Sequence, residues 1–338
     1  MLIIGIEGTA LQAHEREWLA QPQVGGVILF TRNFATRAQL QDLVASVRAV
    51  RSAPLLLCVD QEGGVVQRLR GDGITRLPPL AALGARWARH ARQADALAEM
   101  HAWVMASELR ALDIDLSFAP VLDLARGNRA IGTRALHGAP AVVAELGQAY
   151  VRGMHLAGMA ATLKHFPGHG SVLQDTHHEA AHDARPLAEI EQNDLLPFAA
   201  GFAAGAEAVM MAHVTYPLVD AMPAGYSTRW IAEILRGRMR FGGLVISDDV
   251  GMAAAAGAGG VAARVRAHYA AGCDVVLACT PALVPEALVA AQDAGRAALG
   301  DLSRLQGQVG PTWAALQDNP QHARFLAELA TLDTEHLA

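Results

Sequence analysis

The chain has 338 residues, 52% hydrophobic and 18% charged, enough to bury a sizeable core and too apolar for a disordered polypeptide. Its formal net charge of −6, with the basic residues scattered, excludes a nucleic-acid or anionic-lipid surface, so neither nucleic acid nor membrane is expected as a partner. Cys58, Cys273 and Cys279 sit in apolar segments and read as buried free thiols; the opening MLIIGIEGTALQAHERE has no basic leader and no apolar run long enough to span a bilayer, so a cytoplasmic location is expected.

Along the chain, short apolar runs alternate with longer amphipathic ones. Strands are predicted at Leu2–Ile6, Val27–Phe30, Leu55–Val59, Leu116–Pro120, Ala161–His165, Ala208–Ala212, Leu244–Ser247 and Val275–Cys279. Helices are predicted between them, among them 37–51, 94–112, 141–157, 188–204 and 228–238. Eight strands alternating with helices predict an α/β fold, a single-domain (β/α)8 TIM barrel over residues 1–338. The Ala/Gly-rich stretch 253–260 reads as a mobile loop, and residues 310–338 as a helical tail outside the barrel.

The polar residues fall where a barrel would use them. Asp60 follows the third strand, Asp123 the fourth, Lys164 and His165 the fifth, His213 the sixth and Asp248 the seventh. In a barrel these ends share one face, the C-terminal face on which active sites are built.

Three segments carry chemistry. Lys164–Glu179, KHFPGHGSVLQDTHHE, holds four of the chain's 14 histidines, His165, His169, His177 and His178, with Asp175 two residues before His177. Gly168 and Gly170 permit an irregular path there, and so many titratable groups in one loop point to function; a solvated polar loop is the bland alternative. A metal site is the chemical alternative, because His165-x3-His169 and His177-His178 offer imidazoles. Barrel metallohydrolases usually add ligands from the first strand, which here offers only Glu7, so no metal or other cofactor is expected. The second segment, GLVISDDVGM, ends a strand in Ser-Asp-Asp; one carboxylate could attack an anomeric carbon, although adjacent acids also cap helices. Strand alternation predicts that only one of Asp248 and Asp249 faces the cavity. The third segment, CVDQEGGVVQRLR, offers Asp60 and Arg68 to sugar hydroxyls, or else a capping Asp and a surface Arg.

These motifs, with GGVILFTRN (25–33), VDQEGG (59–64), DIDLSFAPVLD (113–123) and AIGTR (130–134), strongly resemble glycoside hydrolase family 3, in its bacterial single-domain β-N-acetylhexosaminidase branch, over roughly residues 1–300. The resemblance implies a retaining double displacement with Asp248 as nucleophile, His177 as acid/base and Asp175 as its partner. It places Asp60, Arg68, Arg134, Lys164, His165 and His213 in the sugar-binding set. The expected substrate is a small carbohydrate, N-acetylglucosamine linked to 1,6-anhydro-N-acetylmuramic acid with or without its peptide, cleaved by a monomer in cell-wall recycling. Val65 departs from the Arg that many relatives carry in this motif.

Overall fold

The computed structural model describes residues 1–172, 181–294 and 301–332. Eight strands form its main sheet: β1 (Leu2–Gly5), β2 (Val24–Leu29), β3 (Leu56–Val59), β4 (Leu116–Ser117), β5 (Thr162–Phe166), β6 (Ala208–Met211), β7 (Leu244–Asp249) and β8 (Val275–Ala278). Neighbours pair in parallel in chain order, and β8 returns to β1 through Leu2↔Val276 and Ile4↔Ala278. Between β4 and β5 the closure runs through a single parallel bridge, Val121↔Lys164, with Thr162 N donating to Ala119 O at 2.9 Å and Leu122 N to Lys164 O at 2.7 Å. The result is the expected (β/α)8 barrel.

Each strand is followed by a helix: α1 (Ala13–Leu19), α2 (Arg37–Arg48), α3 (Ala91–Arg110), α4 (Pro140–Leu156), α5 (Leu195–Ala203), α6 (Arg229–Arg238), α7 (Val261–Ala271) and α8 (Val284–Asp293). All eight predicted strands are present, with ends shifted by a few residues. The helix predicted over 188–204 is two helices, Leu187–Gln192 and α5. Pro197 has no N–H to give to the carbonyl four residues back, and Asp194 turns inward to pair with Arg185 at 2.7 Å. Both effects favour a break at Asn193–Asp194. The 253–260 stretch contains a short 3-10 helix, Ala253–Ala258.

Strand alternation divides the core in two. Ile3, Ile28, Leu56, Cys58, Leu116, Ile246, Val275 and Leu277 fill the barrel interior, while Leu2, Ile4, Val27, Leu57, Val245 and Val276 pack outward under the helices. A filled interior makes the barrel a platform, not a pore. After β8, helices Trp313–Gln317 and Pro320–Leu329 lie against α3, where Phe325 meets Trp103 edge-on at 5.1 Å. No helix among the described residues is long and apolar enough to cross a membrane.

The Gly-rich turn after β5 is packed against the segment after β4. A Cβ on Gly170 would stand 1.8 Å from Leu124 O, a backbone atom that cannot swing aside. At Gly242 a Cβ meets nothing within 4 Å. Gly170→Ala is therefore expected to lower unfolding free energy by about 1–3 kcal/mol through overpacking, and Gly242→Ala to stay within about 0.5 kcal/mol of the wild type. Denaturant unfolding of the two variants checks the ranking.

Candidate active site

A cavity of about 350 Å³ opens over the C-terminal ends of the strands. Ile28, Phe118, Met210 and Leu277, from the inward rows of the barrel, line its apolar part. Its polar lining includes Asp60, Arg68, Arg134, Lys164, His165, His169, Asp248 and Asp249. Six of the expected site residues thus come together: Asp60, Arg68, Arg134, Lys164, His165 and Asp248. His177 and Asp175 lie outside the described residues.

The deepest polar feature is an ionic cluster. After β3 the chain makes a tight hairpin, Gln61–Gly63 against Val66–Gln67, turning through Gly63 and Gly64 at positive φ. That turn delivers Glu62, almost fully buried, to two cations. Arg134 grips it with both prongs, Nε to Oε2 at 2.7 Å and Nη2 to Oε1 at 2.8 Å, and Lys164 Nζ approaches Oε1 at 2.6 Å. Lys164 also donates to Asp60 Oδ1 at 2.9 Å, and Arg68 Nη2 stands 3.8 Å from Asp60 Oδ2. Burial alone would raise the Glu62 carboxyl, but Arg134 and Lys164 outweigh it and hold its pKa far below the usual carboxylate range. Burial works against the Lys164 ammonium in turn, and Asp60 and Glu62 carry its pKa above the ordinary value. Both partners are charged at neutral pH.

Asp123 organises the next layer. Fully buried, it accepts from the backbone N–H of His169 at 2.7 Å and of His165 at 3.3 Å, and its Oδ2 meets His165 Nδ1 at 2.6 Å. Burial opposes its ionisation, yet the two histidines hold its pKa below normal. An ionised Asp123 only accepts, so His165 Nδ1 carries the donated proton. Tyr216 donates its hydroxyl to Gly168 O, and Asn128 Nδ2 approaches His169 Nδ1 at 3.0 Å. Every turn of KHFPGHG that is described is anchored to another strand's loop.

Both Asp248 and Asp249 line the cavity, contrary to the expectation from strand alternation. The cause is a register shift in the β7–β8 pairing between Ile246 and Asp249, which breaks the two-residue period at that point. Their environments differ. Asp249 Oδ1 accepts two backbone amides, Gly251 N and Cys279 N, each at 3.0 Å, so its carboxyl ties the β7 loop to β8. Burial, then the neighbouring Asp248 charge, pushes its pKa up despite those amides. Among the described residues, the Asp248 carboxylate accepts the Asp249 amide, at 2.8 Å. Burial works against its ionisation, but the His165 and His213 rings, that amide and the Lys164 ammonium outweigh it and hold its pKa below normal.

His213 is placed differently from the other expected residues. It is buried, is not part of the cavity lining, and its Nε2 donates to the backbone oxygen of Asp249 at 3.1 Å. It braces the end of β7 from behind. Glu62 and Arg32 carry no expected role in the sequence reading; a signal for Glu62 is present, since Arg134 and Lys164 at a strand-end cluster require a buried counter-charge beyond Asp60. Among the described residues, Glu7, His14 and Glu15 form the one group whose ligand atoms lie within 4.8 Å of one another as metal donors would, but Glu15 already spends its two oxygens on the amides of Glu7 and Gln12 at 2.7 and 2.8 Å.

A barrel mouth that gathers an ionised aspartate with carboxylate, ammonium, guanidinium and imidazole groups has the charges that glycoside cleavage uses. Residues 2–306 match the glycosyl hydrolase family 3 N-terminal domain, and the chain belongs to that family. It is 60% identical over 327 residues to a β-hexosaminidase of Stenotrophomonas maltophilia, covering 95% of this chain and 96% of that one. Its fold matches NagZ from Neisseria gonorrhoeae, solved with N-trifluoroacetyl-D-glucosamine, with a TM-score of 0.89 at 39% identity over 98% of this chain and 97% of that one. A family 3 β-N-acetylglucosaminidase from Paenibacillus follows at 35% identity and a TM-score of 0.80, covering 98% of this chain and 60% of that longer one. The chain is a β-hexosaminidase-type glycoside hydrolase.

Replacing Glu62 by Gln leaves Arg134 and Lys164 buried with too little negative charge. Breaking a buried pair in this way costs about 3–5 kcal/mol, so Glu62→Gln is expected to unfold at markedly lower denaturant than the wild type. A midpoint equal to the wild type's would show that the cluster is not what holds these loops.

Proposed function

We propose that the chain is a retaining exo-β-N-acetylglucosaminidase that releases N-acetylglucosamine from 1,6-anhydro-N-acetylmuramic acid conjugates in the cytoplasm. The observation that carries this reading is Asp248: a carboxylate kept ionised in a cavity closed from below by the packed barrel, beside groups suited to sugar hydroxyls. The N-acylglucosamine bound by the gonococcal relative supports an N-acetylated sugar in the corresponding cavity.

In the first step an oxygen of Asp248 attacks the anomeric carbon, the bond to the aglycone oxygen breaks, and His177 gives that oxygen a proton. In the second, neutral His177 takes a proton from water, the water oxygen attacks the same carbon, and Asp248 is released. Asp175 orients the imidazole and stabilises its charged form, as the third member of a triad does. The roles of His177 and Asp175 rest on the family resemblance. Asp60, Arg68, Lys164 and His165 hold the sugar, with Arg134 acting mainly through Glu62.

Asp248→Ala is expected to abolish turnover, whereas Asp249→Ala retains measurable chemistry; intact-mass analysis with a fluorinated slow substrate should trap one glycosyl adduct in the wild type and none in Asp248→Ala. For the acid/base, His177→Ala removes help worth about 10²–10⁴-fold. Its loss should be steep with a sugar aglycone and mild in the first step with p-nitrophenyl N-acetyl-β-glucosaminide, whose phenolate leaves unaided. Azide should restore turnover of His177→Ala and give the β-glycosyl azide. Rescue confined instead to replacement of His169 or His178 would reassign the acid/base.

A further inference from the structure

The segment after Asp248 and Asp249 reads VGMAAAAGAGG, and its alanines and glycines offer almost no side chains with which to fix its path. It nevertheless bounds the cavity, because Met252 lies in the lining beside both aspartates. What holds it comes from outside and acts on its carbonyl oxygens. His213 donates to Asp249 O at 3.1 Å, and Tyr226 donates its hydroxyl to Ala255 O at 3.0 Å. Arg264, on α7, takes two more: its Nη1 donates to Val250 O at 2.7 Å and its Nε to Gly259 O at 2.8 Å. Val250 opens the segment and Gly259 lies at its far end, so one guanidinium ties the loop across its base.

Neither acceptor is a carboxylate, so the contact is no ordinary surface ion pair, and Arg264 is half-buried. A planar group with donors at fixed angles sets the spacing of two carbonyls, which the single point of a lysine cannot do. The helix that supplies it is itself seated against the same strand end. His268, one turn beyond Arg264 on the same face of α7, donates from Nδ1 to Gly225 O at 2.8 Å, and its ring packs 5.4 Å from that of His213. On the other side Val250 N donates to Leu277 O of β8 at 3.0 Å. Val250 is therefore held from both sides, and only Asp249 stands between it and Asp248.

We propose that Arg264 is a positioning residue for the nucleophile: by tying Val250 O to Gly259 O it sets where Asp248 presents its carboxylate. This rests on the glycosidase reading above and adds to it a residue outside the cavity lining. The sugar-facing groups Asp60, Arg68 and Lys164 belong to a separate ionic cluster on the far loops, so loosening the tie displaces the attacking oxygen and leaves sugar binding in place.

The test is Arg264→Ala, assayed with p-nitrophenyl N-acetyl-β-glucosaminide and with a neutral N-acetylglucosaminyl disaccharide. A small displacement of a reacting group is costly, so kcat/KM should fall by about tenfold to a hundredfold. The factor should be the same for both substrates, because a misplaced nucleophile is felt whatever the leaving group. Competitive inhibition by free N-acetylglucosamine should stay at the wild-type level, a split that general loss of structure does not produce. Arg264→Lys keeps the charge but spans one carbonyl only, and its activity should fall between the two. Arg266→Ala, at an exposed position on the same helix, should behave as the wild type. Unchanged kcat/KM in Arg264→Ala overturns the proposal, and so does a loss matched by equally weakened inhibition. Full activity in Arg264→Lys also overturns it, since charge would then suffice without the two-point tie. Should Arg264→Ala fail to fold, Arg264→Lys decides by the same comparison of turnover with inhibition. Absence of wild-type turnover on any β-N-acetylglucosaminide would overturn the glycosidase reading and this role together, whereas wild-type turnover with unaffected variants overturns the role of Arg264 alone.

Discussion

The position of Glu62 between Arg134 and Lys164 is the contact on which the cavity depends. Taking three ions out of water costs several kcal/mol each, and only short, well-directed contacts offset that. The two-pronged Arg134 contact at 2.7 and 2.8 Å and the Lys164 contact at 2.6 Å meet that condition. Glu62 comes from the hairpin after β3, Arg134 from the connection before α4 and Lys164 from β5, so one carboxylate fixes three connections relative to one another. Lys164 then has a donor left to aim Asp60, at 2.9 Å. The sugar-facing groups are oriented by charges that themselves face inward.

The end of β7 shows the complementary device, in which neighbours in sequence are driven to opposite behaviour by what surrounds them. Asp249 ties two backbone amides together, and burial beside Asp248 raises its pKa in spite of them; Asp248 accepts one amide among the described residues, and His165, His213 and Lys164 draw its pKa down. A register shift brings both to the same cavity, and His213 braces the shifted backbone through the Asp249 carbonyl. Environment, not residue type, separates the group that can act as a nucleophile from the one that holds the loop.

Much of this was legible in the sequence because the barrel writes its periodicity there. Apolar runs of strand length alternate with helical ones, and the polar residues at strand ends must share a face once the strands are parallel, so Asp60, Lys164, His165 and Asp248 could be placed together before any geometry. What escaped depends on contacts between loops distant in sequence. Glu62 reads as a turn residue until Arg134 and Lys164 are seen on it. His213 occupies a strand-end position like its neighbours, but its ring turns to a backbone oxygen, which no spacing reveals. The two-residue period misplaced Asp249 because the register shift arises from pairing with β8. The helix break at Asn193–Asp194 reflects the Asp194–Arg185 pair, a preference set outside the segment's own propensity.

The charge balance of the cavity also bears on the choice of acid/base. Asp60, Asp248 and Asp249 already line it, and a carboxylic acid added as proton donor would start from a pKa of about 4.3 and need strong burial to reach neutral pH. Burial of that kind raises the cost of every nearby carboxylate. An imidazole starts at about 6.5 and needs no such desolvation, so under the proposed mechanism a histidine can exchange a proton near neutral pH without adding to the cost of an ionised Asp248. Under that mechanism it carries its proton into the first step and is neutral after it, so in neither form does it set another anion beside Asp248. A histidine in the proposed acid/base role thus answers one constraint: a site that needs its nucleophile anionic is best served by other participants that are neutral or cationic.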